Sequence, residues 1–212
     1  EVVLHCAAWA NIDECEAQPE RAEDINARLP GELAGLCAQR GIYLLHISTD
    51  AVFDGLRGDY REEDEPSPMS VYARTKLQGE QAVLAANPAA GVARVNFYGF
   101  SLSGSRSLAE FFINNLSAGR EVKGFTDVFF KPLQVTDLAD VLLKMMGQRL
   151  GGVYHVLSSE TLSKYDFGFR IAQMFGYDES LIQPVSWKDG GLKAARSPNL
   201  TLRTDKLAAA LG

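Results

Sequence analysis

The sequence predicts an α/β protein built on a doubly wound parallel sheet. Three observations carry this. Apolar runs of strand length recur at 2–8, 43–48 and 92–97, without the polar alternation of a half-exposed sheet. Stretches of helical periodicity separate them, at 19–39 and 71–84. Strand, helix, strand at this spacing is the crossover unit of a parallel sheet.

Taken in order, 2–8 is apolar, and small residues follow it where backbone must approach something closely. Asp13, Glu14 and Glu16 read as a solvated helix start rather than a metal cluster, because acids suit a first turn. Across 19–39, Ala22, Ile25, Leu29, Leu33 and Leu36 recur at three- and four-residue spacing and predict one core-facing stripe, which Pro30 kinks or divides. Gly41 ends the element, and 43–48 is the next strand. The long acidic loop 54–68 lies between Thr49 and Tyr72, so its acids are expected either at the mouth of a site there or on a solvated face. The 71–84 helix is stopped by Asn87-Pro88.

After the strand 92–97, Ser101, Ser103, Gly104, Ser105 and Ser107 mark a flexible connection. A helix follows at 108–116 with Phe111 and Phe112 in the core, then an extended stretch at 122–130. The helix 137–146 has Thr136 as its cap, or alternatively Asp137. His155, in a short strand at 153–156, reads as a satisfied core residue. Ser163 with Asp166 resembles a capping arrangement for a helix at 163–175. Trp187, Arg196 and Asn199 fall in a loop-rich stretch.

Composition narrows the class. Apolar residues make up 46% and charged residues 23% of 212, as in ordinary soluble domains. A net charge of −6 without a basic run argues against nucleic acid. No apolar run approaches the ~20 residues that span a bilayer, and the opening residues do not read as a signal peptide. Cys6, Cys15 and Cys37 show no metal or disulfide spacing and are expected to be free, small buried hydrophobes in a reducing cytoplasm.

The chemistry centres on Thr49, Tyr72 and Lys76. A spacing of four puts Tyr72 and Lys76 on one helix face, one turn apart. An ammonium beside a phenol favours the phenolate, which predicts a lowered Tyr72 pKa. Thr49, ending its strand, reaches the same place from the sheet. A Tyr acid, a Lys and a hydroxyl donor suit hydride transfer at a carbonyl carbon with proton transfer at its oxygen. Tyr-x-x-x-Lys alone is weak, arising by chance in about one such chain in four.

Context makes it specific. S-T-D-x-V-F, then D-x-x-Y-x-E-x-D-x-P-x-P, then S-V-Y-A-R-T-K-L-Q-G-E follow in order. V-V-L-H-C-A-A-W-A-N-I-D-E-C-E precedes them; G-V-Y-H-V, S-K-Y-D-F-G, L-I-Q-P-V-S and R-S-P-N-L-T-L follow. This resembles the extended short-chain dehydrogenase/reductase family, and within it the dTDP-4-dehydrorhamnose reductases. The resemblance implies a Rossmann-like domain over 1–100 and about 131–158, with a small substrate lobe over about 101–130 and 159–212. It implies reduction of the 4-keto group of a nucleotide-linked deoxysugar by NADPH or NADH.

The resemblance also assigns roles. Tyr72 would protonate the alkoxide, Lys76 would lower its pKa and hold the nicotinamide ribose, and Thr49 would bond the substrate oxygen. Ala7, Ala8, Ser48, Tyr72, Lys76 and Asn96 are the implied cofactor residues; Thr49, Asp50, Phe97 and Arg196 are the implied substrate residues. Arg196 would pair with a diphosphate, a plain surface salt bridge being the alternative. Asn26 occupies the family's V-N…P position, and is either a support for the site or a helix-surface residue. Two departures fall on the substrate side: Ala51 replaces a usual Tyr, and R-V-N-F-Y-G is shorter than R-T-S-W-x-Y-G and lacks its Trp.

No glycine-rich dinucleotide turn occurs in the 212 residues. Against the family pattern Glu1 falls at a fourth strand, and two βα units of roughly 30 residues each are expected upstream. A truncation, an unrecorded segment and a chain working without it are the three accounts. Other functions kept open are a sugar epimerase or dehydratase of the same family, and a non-catalytic regulatory subunit or inactive fragment. Expected partners are the nucleotide sugar and, for the oligomer, a homodimer, with neither nucleic acid nor membrane.

Overall fold

The computed structural model describes residues 1–189 and 197–212. Strand β1 (Val2–His5) leads into α1 (Ile12–Ala17), α2 (Pro19–Glu23), a π-helical turn (Asp24–Arg28) and α3 (Leu29–Gln39). Then come β2 (Tyr43–Thr49), α4 (Val71–Ala86), β3 (Gly91–Val95) and β4 (Phe97–Tyr98). Next are α5 (Leu108–Leu116), β5 (Val122–Phe125), β6 (Phe129–Phe130), β7 (Leu133–Gln134), α6 (Val135–Gln148) and β8 (Gly152–Val156). The last are β9 (Leu162–Ser163), α7 (Lys164–Phe175), β10 (Ile182–Val185), β11 (Asn199–Leu200) and α8 (Asp205–Leu211).

The central sheet is parallel throughout, in the order β1-β2-β3-β8, as the apolar runs predict. Alternate residues of the strands feed two cores. Leu45, Ala93, Val95 and Val156 pack on α6 and α8 through Leu138, Leu142, Met145 and Leu207. Leu44 and Val92 pack on the other face against Ala34, Cys37 and Val83 of α3 and α4. A separate core joins α5 and α7 to β5, β6 and β10 through Phe112, Phe130, Phe167 and Ile182.

Several sequence expectations need correction. The first strand ends at His5, not at residue 8. The predicted stripe over 19–39 is broken by the π turn, whose extra residue per turn rotates everything beyond it. Leu29 and Leu36 are 46% and 49% exposed, while Ala27, Pro30, Ala34 and Cys37 are buried. Pro30 does not divide the helix: the chain stays helical from Pro19 to Gln39, and the π turn at Asp24–Arg28, just before the proline, is where it deviates. Helix α6 is capped by Gln134, whose side chain accepts from Thr136 N and Asp137 N, rather than by Thr136 or Asp137. Phe112 is buried but Phe111 is 45% exposed. Cys15 and Cys37 are buried as expected, whereas Cys6 is exposed; all three are free. The Ser163–Asp166 capping box forms as expected, and a second, Ser107–Glu110, starts α5.

The acidic loop 54–68 keeps Asp59, Glu63 and Glu65 exposed, as a solvated face, and none of its residues lines the cavity of the site. It pairs with the carboxyl-terminal segment: Tyr60 N donates to Thr201 O (3.2 Å), Arg203 N to Tyr60 O (2.8 Å) and Asn199 N to Gly55 O (3.0 Å). Gly58, at φ +79°, allows Asn199 so close that a Cβ would stand 2.3 Å from its side chain. Glu62 turns inward and accepts from His155 N at 3.0 Å.

Beneath that loop a buried polar column crosses the sheet. Glu80 of α4 and Arg94 of β3 are 2% and 3% exposed. Arg94 Nη2 and Nε donate to the Glu80 carboxylate at 2.8 to 3.1 Å. Ser48 Oγ of β2 donates to Glu80 Oε1 at 2.5 Å. Arg94 Nη1 lies 3.4 Å from His155 Nε2 of β8, and the opposite ring nitrogen, Nδ1, is 3.0 Å from Arg203 O. Glu80→Gln would leave the guanidinium charge buried and is expected to cost about 3–5 kcal/mol in urea unfolding. A loss below about 1 kcal/mol would show that the pair does not set the packing of α4.

Candidate active site

The site forms at the carboxyl ends of β2 and β3, where open α/β sheets gather ligands. Strand β2 ends at Thr49, whose Oγ1 accepts from Ala51 N (3.2 Å) and so starts a 3-10 turn over Asp50–Val52. Helix α4 starts at a fixed place: Ser70 Oγ accepts from Ala73 N (3.1 Å), and Glu16 Oε1 accepts from Val71 N (2.7 Å). Tyr72 and Lys76 then stand one turn apart and line a cavity of about 750 Å³ with Ala8, Ser48, Thr49, Asp50, Asn96 and Phe97. Nearly all of the sequence-predicted residues meet there. Ala7 is exposed and is not among the lining residues. Arg196 lies outside the described residues.

Lys76 is 2% exposed. Its Nζ donates to Ile47 O at 2.6 Å and lies 3.4 Å from His46 Nε2. Burial lowers its pKa to about 8, against the pull of Glu80 and Cys6. Tyr72 departs from expectation. Burial lifts the phenol to about 12; a Thr49 hydrogen bond pulls down, while Asp50 and Cys15 push further up. The ammonium that spacing alone sets beside the phenol is directed at Ile47 O and His46. Tyr72 therefore keeps its proton at neutral pH, the state a proton donor needs.

The remaining hydroxyls and carboxylates are tightly placed. Asp50 is buried; Asn96 Nδ2 donates to its Oδ2 (2.6 Å) and Thr49 Oγ1 to its Oδ1 (3.2 Å). Burial raises its pKa, with Asn96, Lys164 and Thr49 acting against. Thr49 has one proton, for which Asp50 and the Tyr72 phenol compete. Ser48 is held by Glu80.

Asn26 is a support for the site. Trp9 N donates to its Oδ1 (2.8 Å), and its Nδ2 donates to Trp9 O (3.0 Å) and Thr75 Oγ1 (3.2 Å), tying the segment after β1 to α4. Sequence reasoning missed His5, His46 and Arg106. Arg106, in the serine-rich connection, lines this cavity and two beside it. Period-two reading of β2 puts His46 on the same face as Ser48, a signal that was available. Nothing in the pattern marks Arg106. Among the described residues no cluster could hold a metal ion, and no helix is long and apolar enough to cross a membrane.

A parallel sheet with Thr, Tyr and Lys gathered at its strand ends defines a short-chain dehydrogenase/reductase-like Rossmann fold. The chain belongs to the RmlD substrate binding domain family, whose model matches residues 1–212. Over its whole length it is 36% identical to the probable low-salt glycan biosynthesis reductase Agl14 of Haloferax volcanii, covering 72% of that protein. It is 35% identical to the dTDP-4-dehydrorhamnose reductase of Mycolicibacterium smegmatis, again over its whole length but spanning only 65% of the relative. Over 97% of the chain it is 33% identical to methionine adenosyltransferase 2 subunit beta of Rattus norvegicus, covering 64% of it. The crystal structure of Bacillus anthracis dTDP-4-dehydrorhamnose reductase in complex with NADP superposes with a TM-score of 0.92 at 27% identity, over 99% of this chain and 74% of that one.

The buried imidazoles give a pH prediction. Burial and neighbouring charge depress His46 to about 2 and His155 to about 3. The unfolded chain binds protons at both below about 6.5, and the folded chain does not, so stability falls as pH drops through that value. His5, lowered too, adds to this loss, and the raised Asp50 acts oppositely. A net loss of about 1–2 kcal/mol is expected between pH 6.5 and 5.5 in urea unfolding. A flat profile would mean that the imidazoles are hydrated in the fold.

Proposed function

We propose that this protein reduces the 4-keto group of a nucleotide-linked deoxysugar with NADPH or NADH. The observation that carries this is a half-buried Tyr72 one turn from Lys76, sharing a cavity with Thr49. Similarity to reductases over the whole chain supports it.

The residues present fit the nicotinamide ribose end of such a cofactor. The Lys76 ammonium has three N–H groups; Ile47 O and His46 take two, which leaves one for a ribose hydroxyl. Ala8 offers a wall without a long side chain, and Asn96 flanks it. The cofactor, when bound, supplies the hydride. Tyr72 gives its proton to the sugar oxygen as charge grows there, and Lys76 stabilises the phenolate left behind. The Thr49 hydroxyl turns from Asp50 to donate to the same oxygen. Phe97, 51% exposed at the rim, and Arg196 are assigned to the sugar nucleotide. Residues 1–100 and 131–158 form the cofactor part, and 101–130 and 159–212 the substrate lobe, in this reading. A cytoplasmic location and a homodimer complete it.

A dehydratase would need a separate base for a carbon acid. Asp50 is the only carboxylate among the described residues lining the cavity, and Asn96 and Thr49 hold it. A non-catalytic subunit has the similarity to methionine adenosyltransferase 2 subunit beta in its favour. The intact Thr49, Tyr72 and Lys76 weigh against it.

Tyr72→Phe is expected to lower kcat about 10²–10⁴-fold in a keto-sugar assay following NADPH loss, with cofactor affinity nearly unchanged. Full turnover by that variant would sink the assignment. Sugar conversion without net cofactor loss would point to an epimerase, and a folded protein without turnover to the subunit reading.

A further inference from the structure

We propose that His46 is a positioning residue for Lys76, and that His5 fixes the tautomer in which it acts. His5 and His46 are register partners on β1 and β2, on the face that α4 covers. Their Nδ1 atoms are 2.9 Å apart, and His46 Nε2 is 3.4 Å from Lys76 Nζ. The role of Lys76 in turnover rests on the function proposed above; the geometry of the three groups does not.

The hydrogen bonds leave one arrangement. An ammonium has donors only, so His46 Nε2 accepts. The His46 proton is then on Nδ1 and points at His5 Nδ1. That atom must accept, which places the His5 proton on Nε2. Both rings are neutral: His46 is fully buried, and the Lys76 charge opposes a second charge on either ring. The other titratable groups around Lys76 are Cys6, after β1, and Glu80 and Tyr72 on α4. Glu80 is committed to Arg94 and Ser48. His46 is thus the side-chain acceptor that, with Ile47 O, aims the ammonium. Without it Nζ keeps Ile47 O alone to set its direction. The His46 tautomer required here is the minor one of free imidazole, so the structure must impose it.

Two-bond ¹H–¹⁵N correlation spectra of ¹⁵N-histidine-labelled protein test this without any turnover. The expected result is Nδ1–H at His46 and Nε2–H at His5, with no titration of His46 near its ordinary value of about 6.5. His155, facing Arg203 O through Nδ1, supplies a second Nδ1–H ring for comparison, and His5→Asn assigns the His5 signal. An Nε2–H or titrating His46 overturns the proposal, whatever the protein catalyses. In turnover, His46→Gln carries an acceptor at the Nε2 position and should keep kcat within about threefold of wild type. His46→Leu should lose about 10–100-fold in kcat with KM little changed, the scale on which outer hydrogen bonds support functional groups. Its alkaline limb should move to lower pH, since the ammonium has lost an acceptor. An unchanged kcat and pH profile in folded His46→Leu also overturns it.

Discussion

The Glu80–Arg94 ion pair is the constraint on which the site depends. Tyr72, Lys76 and Glu80 sit at successive four-residue steps of α4, so they form one stripe. Glu80 is the end of that stripe that cannot move. Three donor atoms from two strands, Nε and Nη2 of Arg94 and Oγ of Ser48, hold its carboxylate. Fixing Glu80 fixes the rotation of the helix about its axis, and hence the direction in which Tyr72 and Lys76 face the ends of β2 and β3. A buried pair is a poor source of net stability compared with apolar packing, because both charges lose their water. It is a good source of register, because any rotation of α4 strands a charge. One edge of that stripe is tightened in a different way: a Cβ on Gly79 would lie 2.2 Å from Asn26 O, so α4 and the π turn meet backbone to backbone.

What could be read from the sequence was local. Ser70 and Asn87 bracket α4, the capping box of α7 announces itself, and the apolar runs give the strands their place and parallel pairing. Tyr72 and Lys76 need only helix geometry to be found. What could not be read was pairing at a distance. The partner of Glu62 is 93 residues away, that of Tyr60 lies near the chain end, and His5 meets His46 only because β1 and β2 are in a particular register. The π turn is illegible for another reason: one extra residue in a helical turn leaves no compositional mark, yet it turns Leu29 and Leu36 to solvent and the small residues inward. Asn26, ambiguous as a sequence letter, is defined by what it binds on two different segments.

The electrostatics of Tyr72 show why spacing is not enough. The four-residue step fixes where the two side chains start, and the acceptors nearby fix where they end. Lys76 finds a carbonyl and a neutral imidazole across the sheet and points at them. Tyr72, half-buried and next to Asp50, is left with the opposite perturbation from the one that proximity alone suggests. For proton donation this is the useful state, since a phenol that lost its proton in the resting site would have none to give. In the reaction proposed, the Lys76 charge would be called on at the next moment, when the phenolate forms. In that reading the Thr49 hydroxyl would pass from Asp50 to the reacting oxygen and link the two moments. The resting structure protects the proton and the charged one stabilises its loss, both with the same few side chains.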